Sequence, residues 1–295
     1  MRTPSKIILL ILFVVIAIGA VLIFVKTQVA PPGEISFDNQ YAGPLSADIA
    51  KVGTNGFPGC KDDFNKAYHK VSFMNKEGML TNPQADEMIM RLDTVYGNRM
   101  VAYAYQIFNS NNWPDENIKL LSSGISGLRA DKLSNGQPAV SSDLDAAFRQ
   151  VEEVLGNYNA AWAIARNTGF KSVADAQSKI NSANTYKSKP YISNNTALVS
   201  ALNGVPAALA NSHYNYVAGL VGRLNNYYGT SYASYENLVS QVYRALEEYD
   251  NTGIYGGHKK GSQGLYSQAA TYQNYADNYF NGYYNDYYDD YYNYY

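Results

Sequence analysis

Residues 141–169 read SSDLDAAFRQVEEVLGNYNAAWAIARNTG. Within them Leu144, Phe148, Val151, Leu155, Tyr158 and Trp162 follow at intervals of 4, 3, 4, 3 and 4 residues. That spacing gathers all six on one stripe of an α-helix, whereas a strand would scatter them over both faces. Ser141 or Ser142 is placed to accept from the helix's first free N–H groups, and Asn167-Thr168-Gly169 is a stop signal.

Working outward, the same period recurs. Tyr235, Leu238, Val239, Val242, Leu246 and Tyr249 form a second stripe, with Glu236 in the first turn where the helix dipole favours a negative charge. Thr81 and Gln84 have capping-box spacing and open a helix carrying Met88, Leu92, Val95, Tyr96, Met100, Tyr103 and Ile107. Pro114-Asp115-Glu116 opens another through Ile118, Leu121, Ile125 and Leu128, and Ser172 with Asp175 opens a short polar one. Residues 190–222 hold no Lys, Arg, Asp or Glu, yet Asn194, Asn195, Asn203, Asn211, His213 and Asn215 make them too polar for lipid. They read as central helices broken at Asn203-Gly204-Val205-Pro206, where a Gly and a Pro end one helix and start the next. Sustained alternation is absent. The expected fold class is therefore all-α, with a multi-helix bundle over residues 59–250.

The two ends differ from this body. Ile7 to Val25 is an apolar run without a polar residue, preceded by Arg2 and Lys6 and closed by Lys26. Its length matches a bilayer's hydrocarbon core, and the flanking cations predict a cytoplasmic N-terminus. The expectation is an N-terminal transmembrane helix in an anchor over residues 1–28. It makes the chain a single-pass membrane protein with its body extracytoplasmic. A cleaved signal peptide is the rival, but its apolar region would be shorter, and Pro31-Pro32 follows the small-residue site ending at Ala30. Residues 29–58 read as a Pro/Gly-rich linker, from Pro31, Pro32, Gly33, Gly43, Pro44, Gly53 and Gly56. An anchor followed by a helical bundle resembles the LemA-type membrane proteins in outline. The paired arginines and the Asp-Leu-Ile-Pro-like stretch that mark that family do not occur here, so no residue role carries over.

Residues 251–295 form the other exception. The chain holds 29 Tyr against 10 Phe and 2 Trp, and the excess gathers at its end, which reads GYYNDYYDDYYNYY. No Lys or Arg follows Lys260, and no branched aliphatic residue follows Leu265. A segment without such residues cannot build its own core, so a disordered Tyr-rich C-terminal tail is expected, ordered only upon a partner.

Catalytic patterns are scarce. No phosphate-binding loop, dinucleotide fingerprint, HExxH or GxSxG occurs, and His69, His213 and His258 are far apart. Cys60 with His69 is the one nucleophile-and-base pair that the sequence offers, and the lone Cys60 excludes an intrachain disulfide. Asp62-Asp63, Glu247-Glu248 and Asp289-Asp290 are adjacent carboxylates that do not face each other on a helix. Neither a cofactor nor a metal is expected. A net charge of −2 argues against a nucleic-acid partner. The functional expectation is a membrane-anchored, non-catalytic binding or scaffold protein of the cell envelope. Membrane contact is expected through Ile7 to Val25. An envelope protein or a polysaccharide would be held by the tail through Tyr283, Tyr284, Tyr287, Tyr288, Tyr291 and Tyr292. Phosphorylation of that Tyr cluster, or an enzyme whose site is scattered through the sequence, are the alternatives.

Overall fold

The structure, a computed structural model, describes residues 39–292, with side chains described over residues 43–282. It is a helical bundle, and there is no strand among the described residues. Its helices are α1 (Asn39–Thr54), α2 (Lys61–Lys76), α3 (Asn82–Phe108), α4 (Asp115–Ala130), α5 (Ser142–Arg166), α6 (Val173–Lys187), α7 (Thr196–Asn203), α8 (Val205–Leu224), α9 (Tyr232–Asn251) and α10 (Gln263–Tyr292). The chain divides into two compact units, one running to Tyr96 with Leu133–Gln137 added, the other holding Gly97–Lys132 and everything from Pro138 onward.

The first unit is built on α1, α2 and the start of α3. Leu45, Ile49 and Val52 of α1 are buried, as are Phe64, Ala67, Val71 and Met74 of α2. Tyr96 stacks on Phe64 with ring centroids 4.3 Å apart, and Lys70 pairs with Asp48 at 2.8 Å between α2 and α1. Helix α1 lies inside residues 29–58, the stretch whose composition suggests a linker. The apolar period Leu45, Ile49, Val52 is present there, but Gly43, Pro44 and Gly53 obscure it.

In the second unit the sequence signals act as the spacing predicts. Ser141 accepts from the Leu144 N–H at 3.3 Å, and Leu144, Phe148, Val151, Leu155 and Tyr158 are buried along α5. Ser172 caps α6 through the Asp175 N–H. Helix α7 ends at Asn203 and α8 begins at Val205, so the Gly-Pro step breaks the uncharged stretch where expected. The last layer is formed by α8, α9 and α10, with Val217, Val221, Leu224, Val242, Leu246 and Tyr249 in its centre.

Two expectations are corrected here. The C-terminal tail, expected to be disordered, is helical over Gln263–Tyr292. It forms α10, seated on α8 and α9 through Leu265, Ala269, Ala276 and Phe280. These lie at intervals of 4, 7 and 4 residues, with the half-buried Tyr272 filling the gap, which is one helical stripe. The segment needs no core of its own because it completes that of its neighbours. The expected localisation, a single-pass membrane protein with an extracytoplasmic body, is also overturned. No helix among the described residues is long and apolar enough to cross a membrane. Even the longest, α3 and α10, carry polar residues throughout. The Ile7 to Val25 run lies outside the described residues.

A close approach generates a test. A Cβ on Gly97 would lie 2.6 Å from Leu144 Cδ2 and 3.0 Å from Phe148 Cζ, a branched side chain and a rigid ring in the core, whereas one on Gly124 would meet only the far end of Met100, whose unbranched side chain can re-orient. Gly97→Ala should lower stability in chemical denaturation, because overpacking at about 1–3 kcal/mol outweighs the ~1 kcal/mol helix propensity of alanine. Gly124→Ala should be neutral or stabilising.

Candidate functional site

The α8–α9 connection, Asn225-Asn226-Tyr227-Tyr228-Gly229-Thr230-Ser231, turns sharply. The Thr230 N–H donates to the Tyr227 carbonyl at 3.2 Å, and Gly229 takes a φ of +79° that a side chain would strain. The turn puts Tyr228 at an exposed corner and drives Tyr227 inward, 6% exposed. The two rings stack with centroids 4.4 Å apart, and the Tyr227 hydroxyl donates to the Tyr228 oxygen at 3.1 Å.

Helix α10 brings Tyr279 and Phe280 beside this corner. Tyr279 lies 5.4 Å from Tyr227 and 5.2 Å from Tyr228, while Phe280 packs on Tyr235 at 5.6 Å and on Tyr232 at 5.3 Å. The result is an aromatic platform with a buried floor of Tyr227, Tyr235 and Phe280. Tyr228, Tyr232, Tyr275 and Tyr279 are its exposed members, at 69%, 39%, 57% and 37%. The hydrogen bond between Tyr227 and Tyr228, with burial, pushes the Tyr227 phenol up to about 12. Burial does the same to Tyr235, with nearby Asp277 adding to it. Both phenols are neutral at ordinary pH, so the platform offers flat apolar faces with polar tips rather than charge.

The tyrosines singled out from sequence, Tyr283, Tyr284, Tyr287, Tyr288, Tyr291 and Tyr292, continue the same helix. Their side chains lie outside the described ones. Composition pointed to the end of the chain but missed Tyr228 and Tyr232. Their signal was the Tyr-Tyr-Gly turn before a Ser N-cap, two features that composition does not weigh.

The proposed pair Cys60 and His69 is not assembled. Cys60 is buried at the start of α2, and His69 is exposed nine residues along that helix, a rise of about 13 Å. His213 is 1% exposed. It stacks on Phe170 at 3.7 Å, meets Tyr249 edge-on at 5.0 Å, and its Nδ1 lies 3.2 Å from the Tyr255 hydroxyl. Burial, with the Lys259 ammonium adding to it, lowers this histidine from 6.5 to about 4. Lys259 is itself held by the carbonyls of Tyr249, Asp250 and Thr252 at the end of α9. His213 is thus a packing histidine, closed to a substrate. No group of three or more His, Cys, Asp or Glu that would hold a metal ion occurs among the described residues.

A concavity of about 520 Å³ lies between α4 and α5 and is lined by Asp115, Lys119, Ser122, Tyr158, Trp162 and Arg166, among others. The Arg166 guanidinium sits 4.8 Å over the Trp162 ring. Tyr158 is core, as its stripe position predicts, but Trp162 is half-buried and forms a wall. The mixed charges of Asp115, Lys119 and Arg166 and the open mouth give this cleft no single chemistry.

The buried histidine sets a pH dependence. Its native pKa lies below the unfolded value, so the unfolded chain binds more protons between pH 6.5 and 4. Stability from this group is full above pH 6.5 and is lost as pH falls toward 4, by at most about 1.4 kcal/mol per unit. Thermal melts across that window should show the decline, and His213→Gln should flatten it.

No family model, no curated protein and no solved structure matches the chain.

Proposed function

We propose that the protein is a non-catalytic binding or scaffold protein whose contact surface is the aromatic platform of Tyr228, Tyr232, Tyr275 and Tyr279, extended by the tyrosines of α10. The observation that carries this reading is the platform itself, four exposed tyrosines gathered from two segments over a buried aromatic floor. Tyrosine supplies contact area with few rotors to freeze, and a pre-ordered helix and turn lower the entropic cost of binding further.

Charge narrows the partner. No Lys or Arg follows Lys260, and Asp277, Asp286, Asp289 and Asp290 are interleaved with the tyrosines. Nucleic acids and other polyanions are disfavoured by such a surface. A neutral polysaccharide fits it: the C–H face of a sugar ring stacks on a phenol, and its hydroxyls bond to phenol tips, Asn amides and Asp carboxylates.

The test is retention on immobilised neutral polysaccharides, scored for wild type and for Tyr228→Ser and Tyr275→Ser, singly and together, which remove exposed rings and leave Tyr227, Tyr235 and Phe280 unsubstituted. Each ring is worth about 0.5–1.5 kcal/mol, so each variant should weaken binding roughly two- to tenfold. Unchanged binding by the double variant, or no retention of the wild type on any neutral polymer, would overturn the reading.

A further inference from the structure

We infer that Tyr228 and Tyr279 form an oxidative cross-linking site, at which a dityrosine bond staples α10 to the α8–α9 turn. The two rings meet edge to face with centroids 5.2 Å apart and an interplanar angle of 73°. Tyr228 is 69% exposed and Tyr279 37%, so both are accessible to an outside oxidant. They lie 51 residues apart in sequence, yet the packing of α10 makes them neighbours. Tyr227, the third ring of the group, is buried, and adjacency in the chain holds it in a stack on Tyr228 rather than edge to face. The ring next to Tyr279 in sequence is Phe280, which has no phenolic O–H to lose.

The chemistry balances with hydrogen peroxide as oxidant and a haem peroxidase as the one-electron relay. Each phenol gives up one electron and one proton and becomes a phenoxyl radical. The radicals couple through the ring carbons next to oxygen, forming one C–C bond. The hydrogens on those carbons then move to the two oxygens, restoring both aromatic rings. The protein loses two hydrogen atoms, and the peroxide takes up two electrons and two protons to give two waters.

The link would close a long loop covalently. That removes conformational freedom from the unfolded chain and stabilises the seated form of α10. The inference uses the same surface as the proposed polysaccharide contact but not its ligand, so either can fail alone.

The full-length chain, dilute enough to disfavour links between molecules, is treated with a haem peroxidase and limiting peroxide, digested and mapped by mass spectrometry. The expected dominant product is a Tyr228–Tyr279 linked peptide pair lighter by two hydrogen atoms, with a higher Tm for the linked protein. Tyr228→Phe and Tyr279→Phe keep both rings in place but should each abolish that product. Circular dichroism matching wild type shows that each variant is folded. Dominant links confined to the terminal tyrosines, links only between molecules, or a linked pair surviving either Phe variant would overturn the inference.

Discussion

The seating of α10 on α8 and α9 is the interaction on which the rest depends. Ala269 and Ala276 are fully buried, and their small side chains let a helix of mostly Tyr, Asn and Asp come close to its neighbours. Leu265 and Phe280 anchor the two ends of the contact. Burying such side chains is worth roughly 1.5–3 kcal/mol for each large apolar group, enough to order a segment that could not fold alone. Without it, Tyr279 and Phe280 leave the α8–α9 turn and the platform does not exist.

The connection that lets α10 return is equally specified. Lys259 reaches back to three carbonyls at the end of α9, replacing the hydrogen bonds that a helix terminus lacks. The Tyr249 hydroxyl accepts from the Lys260 N–H at 2.9 Å and donates to the Lys260 carbonyl at 3.1 Å, fixing the loop against the bundle. Ser262 then bonds Asp250 and its carbonyl takes the Leu265 N–H, starting α10. His213 sits beneath this clasp, and its neutral form belongs to that packing. His213 thus serves the packing around the helix connection.

Much of the bundle was legible in the sequence, because its helices carry strong local signals. The stripe from Leu144 to Tyr158, the Ser141 and Ser172 caps and the break at Gly204 are read from a few neighbouring residues. What escaped reading depends on partners distant in sequence. Helix α1 has an apolar period only three residues deep, hidden among Gly43, Pro44 and Gly53. The stripe of α10 uses Ala and Tyr, which composition counts as weak or polar, and its worth appears only against α8 and α9. The platform escaped for the same reason, since Tyr228 and Tyr279 are joined by packing and not by any local pattern.

Hydrogen exchange across α10 tests the central claim most directly. If Leu265, Ala269, Ala276 and Phe280 hold the helix on α8 and α9, backbone amides from Leu265 to Phe280 should be protected well above coil rates. Their protection should approach that of the α9 amides around Val242 and Leu246. Coil-like exchange across Leu265 to Phe280, with α9 still protected, would contradict the account and return the segment to the tail that its composition suggests.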